Sequence, residues 1–175
     1  MKKEVNIFDY AARIAGAMKQ GILLTAADGE KVNPMTIGWG TLGIEWGRPI
    51  FTAFVRESRY TRELLDKTGE FTVSIPLEGC DPRILTFCGR NSGRDVDKVK
   101  TLGLTLEEPL AVSAPGIRQL PLTVECKVLY RQMQDLRGLP QDLLTRYYPA
   151  VTAEGTPDRH IAYYGEILKA YVIED

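Results

Sequence analysis

The sequence predicts a mainly β fold, a mostly antiparallel barrel or sandwich with added helices. Three observations predict it. Strand-like runs outnumber helical ones and do not alternate with them regularly, which argues against a doubly wound sheet. The run from Leu122 to Arg131 sets Leu122, Val124, Cys126, Val128 and Tyr130 against Thr123, Glu125, Lys127 and Arg131, the period-2 pattern of a strand. Val32 to Ile44 is rich in Gly, Thr and Trp, a poor helix and a strand that something approaches closely. With 175 residues, 44% of them hydrophobic, the chain can bury one sizeable core and is expected to form one domain, 1–175.

The elements follow in order. Residues 8–19 place Phe8, Ala11, Ala12, Ala15 and Met18 on one side of a helix that Gly21 ends. Ile22 to Ala27 reads as a buried strand, with Asp28-Gly29 as the turn after it. Ile50 to Val55, after Pro49, is a compact apolar strand. Ser58 is placed to cap a helix through about Lys67, with Leu64 and Leu65 inward and Gly69 just past its end. Phe71 to Ile75 alternates as a half-buried strand. Asp81-Pro82 is the N-cap and first-turn proline of a short helix through about Cys88. Gln141 to Tyr148 is another short helix, bracketed by Pro140 and Pro149. Ile161 to Val172 is a final strand that Gly165 interrupts, the place for a bulge.

Charge and composition exclude several classes. The 22 basic and 23 acidic residues give a net charge of −1, whereas a holder of phosphate backbones carries a positive excess, so no nucleic acid is expected. Cys80, Cys88 and Cys126 are odd in number and irregular in spacing, which gives neither a metal cluster nor a disulfide framework. No run approaches the ~20 apolar residues of a spanning helix. Met1-Lys2-Lys3 resembles a signal-peptide start, but Asp9 and Arg13 interrupt the apolar stretch it would need. A cytoplasmic protein away from membranes is expected.

Gly38-Trp39-Gly40-Thr41-Leu42-Gly43 matches G-x-G-x-x-G, yet Gly47 and Pro49 stand where the dinucleotide-binding helix would run. These glycines read instead as a twisted strand and turn.

The most informative stretch is Arg56-Glu57-Ser58-Arg59-Tyr60-Thr61-Arg62, at a strand-to-helix junction. Exposed helix-terminal N–H groups, guanidiniums and the hydroxyls of Ser58, Tyr60 and Thr61 suit a phosphate monoester. A solvated helix start capped by Ser58 is the other reading. A second basic segment, Gly89 to Lys98, holds an Asn-Ser-Gly turn, and Asp95 is placed to cap a helix presenting Lys98; it reads as an exposed loop or a ligand cradle. Asn33-Pro34-Met35-Thr36-Ile37-Gly38-Trp39 joins small residues to an aromatic, suited to the edge of a flat ring, with core packing for at least two of Met35, Ile37 and Trp39 as the alternative.

The order of Leu24-Thr25, Asn33-Pro34-Met35-Thr36, Arg56-x-Ser58-Arg59-Tyr60-Thr61, Gly69-Glu70-Phe71, Ser92-Gly93-Arg94-Asp95-x-Asp97-Lys98 and Gly165-Glu166-Ile167 resembles the flavin reductase-like, FMN-binding split-barrel family, most of all its flavoredoxin-like branch. The resemblance spans roughly residues 20 to 170. It implies a homodimeric split β-barrel with FMN near the dimer interface. It implies an NAD(P)H-dependent reductase passing electrons to a flavin, metal chelate or small acceptor, or a non-catalytic FMN carrier on the same fold. By the same resemblance, Arg56, Ser58, Thr61 and Tyr60 contact the ribityl phosphate. Asn33, Met35, Thr36, Ile37, Gly38 and Trp39 meet the isoalloxazine edge. Cys88, Ser92, Gly93 and Lys98 close over the cofactor, Lys98 on the phosphate or a ring oxygen. His160, the sole histidine, resembles a residue at the flavin's open face, although Arg159 separates it from Asp158. No side chain stands out as the catalyst, as expected where a flavin supplies the chemistry. Cys80 and Cys126 read as small buried hydrophobes.

Overall fold

The computed structural model describes residues 1–29, 31–149 and 155–174. Its framework is one antiparallel sheet. The strands in chain order are β1 (Lys2–Glu4), β2 (Ile22–Ala27), β3 (Val32–Ile37), β4 (Gly40–Glu45), β5 (Arg48–Arg56), β6 (Glu70–Ile75), β7 (Leu106–Glu107), β8 (Gly116–Ile117), β9 (Leu122–Met133) and β10 (His160–Ile173). The helices are α1 (Ala11–Met18), α2 (Tyr60–Thr68), α3 (Pro82–Arg90), α4 (Lys98–Leu102) and α5 (Gln141–Tyr147).

The sheet runs β3-β2-β6-β9-β10-β5-β4, with β1 added to β10, while β7 and β8 pair apart. Its end strands β3 and β4 are consecutive in sequence, and only Gly38 and Trp39 separate them. Two residues span at most about 7 Å beyond the strand ends. The sheet must therefore curl until its ends nearly meet, which makes a barrel with a seam between β3 and β4. The expected single strand from Val32 to Ile44 is thus two, broken at the seam. Within the G-x-G-x-x-G match, Gly40 to Gly43 lie in β4, so no helix opens there.

Apolar residues of β2, β5, β6, β9 and β10 fill the barrel, including Leu24, Phe51, Phe71, Val124 and Tyr163. A second cluster lies outside the sheet under α3 and α4, built from Leu23, Ile84, Cys88, Leu104, Ile117 and Leu120. Neighbours Leu23 and Leu24 face different cores, so β2 is buried along its whole length. The same covering explains β9, where Thr123 and Glu125 are as buried as the apolar residues between them. Two polar side chains on that covered face find partners, while the Thr123 hydroxyl has none among the described residues. Glu125 accepts from the Leu110 and Ala111 amides at 2.7 and 2.6 Å, and Thr72 donates to Pro115 O at 2.7 Å.

Several expectations need correction. The first helix is a 3₁₀ turn at Ile7–Tyr10 followed by α1, and its buried residues are Ile7, Ile14 and Met18; Phe8 is 40% exposed and Ala11, Ala12 and Ala15 face out. A 3₁₀ turn rotates the register by about 120° per residue, so a single 3.6-residue period misplaces that face. Ser58 does not cap α2, because its side chain is engaged by Asp158. Asp97, not Asp95, caps α4 through the Lys100 amide at 2.9 Å. Gly69 ends α2 at φ 66°, as expected of a left-handed C-cap.

At Gly165 the β9–β10 register shifts, so the interruption is a bulge. A Cβ there would stand 2.6 Å from Phe71 Cζ and 2.8 Å from Cys126 Cβ. Overpacking of this kind costs about 1–3 kcal/mol. Gly165→Ala is therefore expected to lower unfolding stability by that amount in urea titrations; an unchanged midpoint would show that the barrel floor yields freely.

Candidate functional site

At the seam, the end of β5 hands the chain to α2, and the segment before β10 is strapped across that junction. Arg56 donates to Asp158 O at 2.6 Å and to Tyr147 O at 2.8 Å. Ser58 donates its amide and hydroxyl to the Asp158 carboxylate at 3.1 and 2.7 Å. The Glu57 amide reaches Arg159 O at 2.9 Å. Across the cleft, Asn33 on β3 donates to Thr61 on α2 at 2.7 Å, which fixes helix and strand edge together. Gly93 lies so close that a Cβ would meet Asn33 Oδ1 at 2.1 Å and Tyr60 Cδ1 at 2.9 Å, so the 91–97 loop between α3 and α4 closes directly on both.

Two cavities meet here. The first, ≈ 240 Å³, is lined by Asn33, Met35, Ser58, Tyr60, Thr61, Ser92 and Gly93 and by five cationic side chains: Arg56, Arg59, Arg90, Arg94 and Lys98. Asp158 is its one acidic lining residue among those described. The second, ≈ 190 Å³, is lined by Met35 to Trp39, Phe54, Arg56, Arg59 and His160. Met35, Arg56 and Arg59 line both, so the two cavities adjoin and together form the candidate cleft. One end is strongly cationic, and the other is narrow and walled by a strand edge, aromatic rings and a histidine.

Burial decides what each group can do. Lys98 is 3% exposed, and its ammonium donates to Pro34 O at 2.9 Å and Cys88 O at 3.1 Å. Burial pulls its pKa down to about 8, so a single donor and a readily lost charge remain for a ligand. Thr36 spends its hydroxyl on Leu85 O at 2.6 Å and offers the cleft mainly its backbone. Met35 and Ile37 are buried, whereas Trp39 is 38% exposed.

His160 Nδ1 lies 2.9 Å from the Tyr148 hydroxyl, which donates to Gln134 Oε1 at 2.9 Å. The hydroxyl thereby bridges the imidazole and the amide. Burial, helped by the Arg56 charge, pushes the His160 pKa down to about 4, and the ring is neutral near pH 7.

Of the residues singled out in the sequence, all but Cys88 line the cleft. The Cys88 side chain is fully buried in the second core, and burial raises its thiol to about 11, so it is neither a cofactor contact nor a nucleophile. Cys126 is fully buried and Cys80 partly so. Sequence reasoning did not single out Arg59, Arg90, Arg94, Phe54 or Asp158 as site residues. The arginines stood inside the basic segments already noted; Asp158, 100 residues from Ser58, carries no local signal. Among the described residues no cluster of three metal-ligating side chains occurs, and no helix is long and apolar enough to cross a membrane.

A family model described as the flavin reductase like domain matches residues 15–175. An uncharacterized protein of Archaeoglobus fulgidus is 31% identical over 100 residues, covering 57% of this chain and 55% of that protein. Escherichia coli YddH, also uncharacterized, is 30% identical over 62% of this chain and 58% of its own. The chain therefore spans little more than half the length of these relatives. Among solved structures, flavoredoxin of Desulfovibrio vulgaris (Miyazaki F) superposes with a TM-score of 0.66 at 24% identity, over 88% of this chain and 69% of that one. Flavoredoxin from Methanosarcina acetivorans gives 0.63 at 26% identity, over 88% and 68%. A putative flavin reductase with a split barrel domain from Shewanella frigidimarina gives 0.64 at 17%, over 98% and 76%, which bears out the split-barrel fold.

The depressed His160 pKa makes stability pH-dependent. Between the ordinary value of 6.5 and the folded value of about 4, the unfolded chain binds more protons than the folded one. Stability present above pH 6.5 is thus lost as pH falls toward 4, by about 3 kcal/mol at ~1.36 kcal/mol per pKa unit. Wild type is expected to lose that much more than His160→Gln in urea unfolding across this window; parallel losses would contradict it.

Proposed function

The chain belongs to the flavin reductase-like domain family, and on that premise we propose an FMN-binding oxidoreductase of the NAD(P)H:flavin type. The observation that carries this reading is the pair of adjoining cavities, one lined by five cations and the other by residues 35–39 of the strand edge, Phe54 and His160. A dianionic phosphate fits the first, where fork-shaped donors and hydroxyls converge. A planar heteroaromatic fits the second, where backbone groups of residues 36–39 meet its edge and neutral His160 lies beside it. Bound FMN would supply hydride acceptance and electron release. The chain's own residues bind and orient it: Arg56, Ser58, Tyr60, Thr61, Ser92, Gly93 and Lys98 at the phosphate end, Asn33 and Met35 to Trp39 along the ring.

The Asp158 carboxylate holds Ser58 where the phosphate would lie, so binding requires that carboxylate to release the hydroxyl. The redox partners we assign are a reduced nicotinamide as donor and a flavin, metal chelate or small molecule as acceptor. A second copy of the chain is the partner assigned to the exposed face carrying Ile44, Trp46 and Tyr130, where Trp46 and Tyr130 rings lie 6.3 Å apart.

The purified protein is expected to be yellow, to sediment at twice the 19.6 kDa chain mass and to oxidise NAD(P)H. Arg56→Ala should weaken FMN binding about tenfold or more, the worth of a charge-assisted hydrogen bond. Asp158→Asn should tighten it several-fold by removing a like charge. FMN retention unchanged by Arg56→Ala would refute the phosphate grip, and bound FMN without NAD(P)H oxidation would make the protein a carrier.

A further inference from the structure

Beside the ring cavity lies a larger groove of ≈ 560 Å³, within the ~300–1,000 Å³ range of small-molecule sites. It shares Trp39 and Phe54 with the ring cavity, so an occupant would rest against the same indole that walls the ring. Tyr147, Tyr148 and Tyr164 complete an aromatic lining. Trp39 stands edge-on to Tyr147, with centroids 5.1 Å apart and planes at 83°, and is tilted by 40° over His160 at 4.7 Å. Rings packed at such angles leave faces and edges on the groove wall for a further flat ring to lie against.

The groove's charge is the reverse of the phosphate end. Among the described residues no lysine or arginine lines it, and Asp135 is its one charged lining residue. Asp135 stays ionised, held down to about 2 by Arg137, whose side chain is 90% exposed. The nearby guanidiniums of Arg56 and Arg146 lie over the Tyr148 and Tyr147 rings at 5.4 and 5.1 Å and do not line the groove. An anion entering would lose its hydration and meet no lysine or arginine among the described lining residues, Arg137 being already paired with Asp135. Gln132 and Gln134 add neutral amides to the lining. Gln134 lines the groove, and its Oε1 already accepts from Tyr148, so its amide N–H₂ is left to donate to a carbonyl oxygen.

We propose that this groove binds the second reactant, an uncharged planar aromatic carbonyl compound of the quinone class, with one carbonyl on the Gln134 amide and its ring against Trp39. This deepens the FMN reading and rests on it. The net reaction balances: a hydride from the reduced nicotinamide and one proton from solvent convert quinone to hydroquinone and leave the oxidised nicotinamide.

The probe is 2,3-dimethyl-1,4-naphthoquinone, with the same ring bearing a propionate as its charged counterpart. The chain has two tryptophans, Trp39 in the groove and Trp46 outside its lining, and their fluorescence reports binding in FMN-loaded and FMN-free protein alike. Saturable quenching is expected, with the propionate at least about tenfold weaker. Leu143→Arg, a 36% exposed position on the groove's rim, should weaken the neutral probe about tenfold while FMN retention and thermal midpoint stay unchanged. Absence of saturable quenching, equal affinity for the propionate, or indifference to Leu143→Arg would each overturn the proposal. So would binding confined to dilute monomer, which would mean that a second copy fills the groove. Whether FMN binds is read separately from its visible absorbance, so failure of that reading is not confused with failure of this one.

Discussion

The two-residue link between β3 and β4 constrains everything at the cleft. Because Gly38 and Trp39 must join strands at opposite ends of the sheet order, the sheet curls and the seam opens beside them. The carboxyl end of β5 and the start of β10 pair at that seam, Arg56 opposite His160. A guanidinium, a histidine and an exposed indole are thus brought together by strand register rather than by local sequence. Barrel closure normally hides edges; here the seam leaves backbone groups of residues 36–39 available to a ligand.

Electrostatics divide the cleft into regions with different tastes. Five cations in ≈ 240 Å³ make the α2 end a sink for anions, partly satisfied by Asp158 and by the Arg94–Glu63 ion pair. Burial lowers both internal bases, Lys98 to about 8 and His160 to about 4, so near pH 7 Lys98 keeps its charge while His160 is neutral. The Tyr148 hydroxyl links His160 to Gln134 and therefore couples the ring cavity to the neighbouring aromatic groove.

Much of this was legible in the sequence because it is local. Gly69 and Asp81-Pro82 mark helix ends through backbone geometry alone, and the Gly165 bulge announces itself inside a strand. The basic segments after β5 and α3 identify the cationic end, since helix starts and turns gather their own donors. What was not legible depends on distant residues. Ser58 has the chemistry of an N-cap, but Asp158 captures it across 100 positions. Cys88 sits in a stretch that does reach the cleft, yet its own side chain turns into the second core, a distinction of helical phase that sequence order does not carry. The buried polar face of β9 misleads in the same way, because the cover over Thr123 and Glu125 comes from a separate segment.

Cofactor binding at this cleft depends on its cationic end gripping a phosphate tail. Calorimetric titration of cofactor-free protein with FMN and with riboflavin, which share the ring and differ in that tail, isolates the grip. FMN is predicted to bind at least about a hundredfold more tightly, as expected for two or more charge-assisted hydrogen bonds, with the gap narrowing as salt is added. Equal affinities for the two would contradict it.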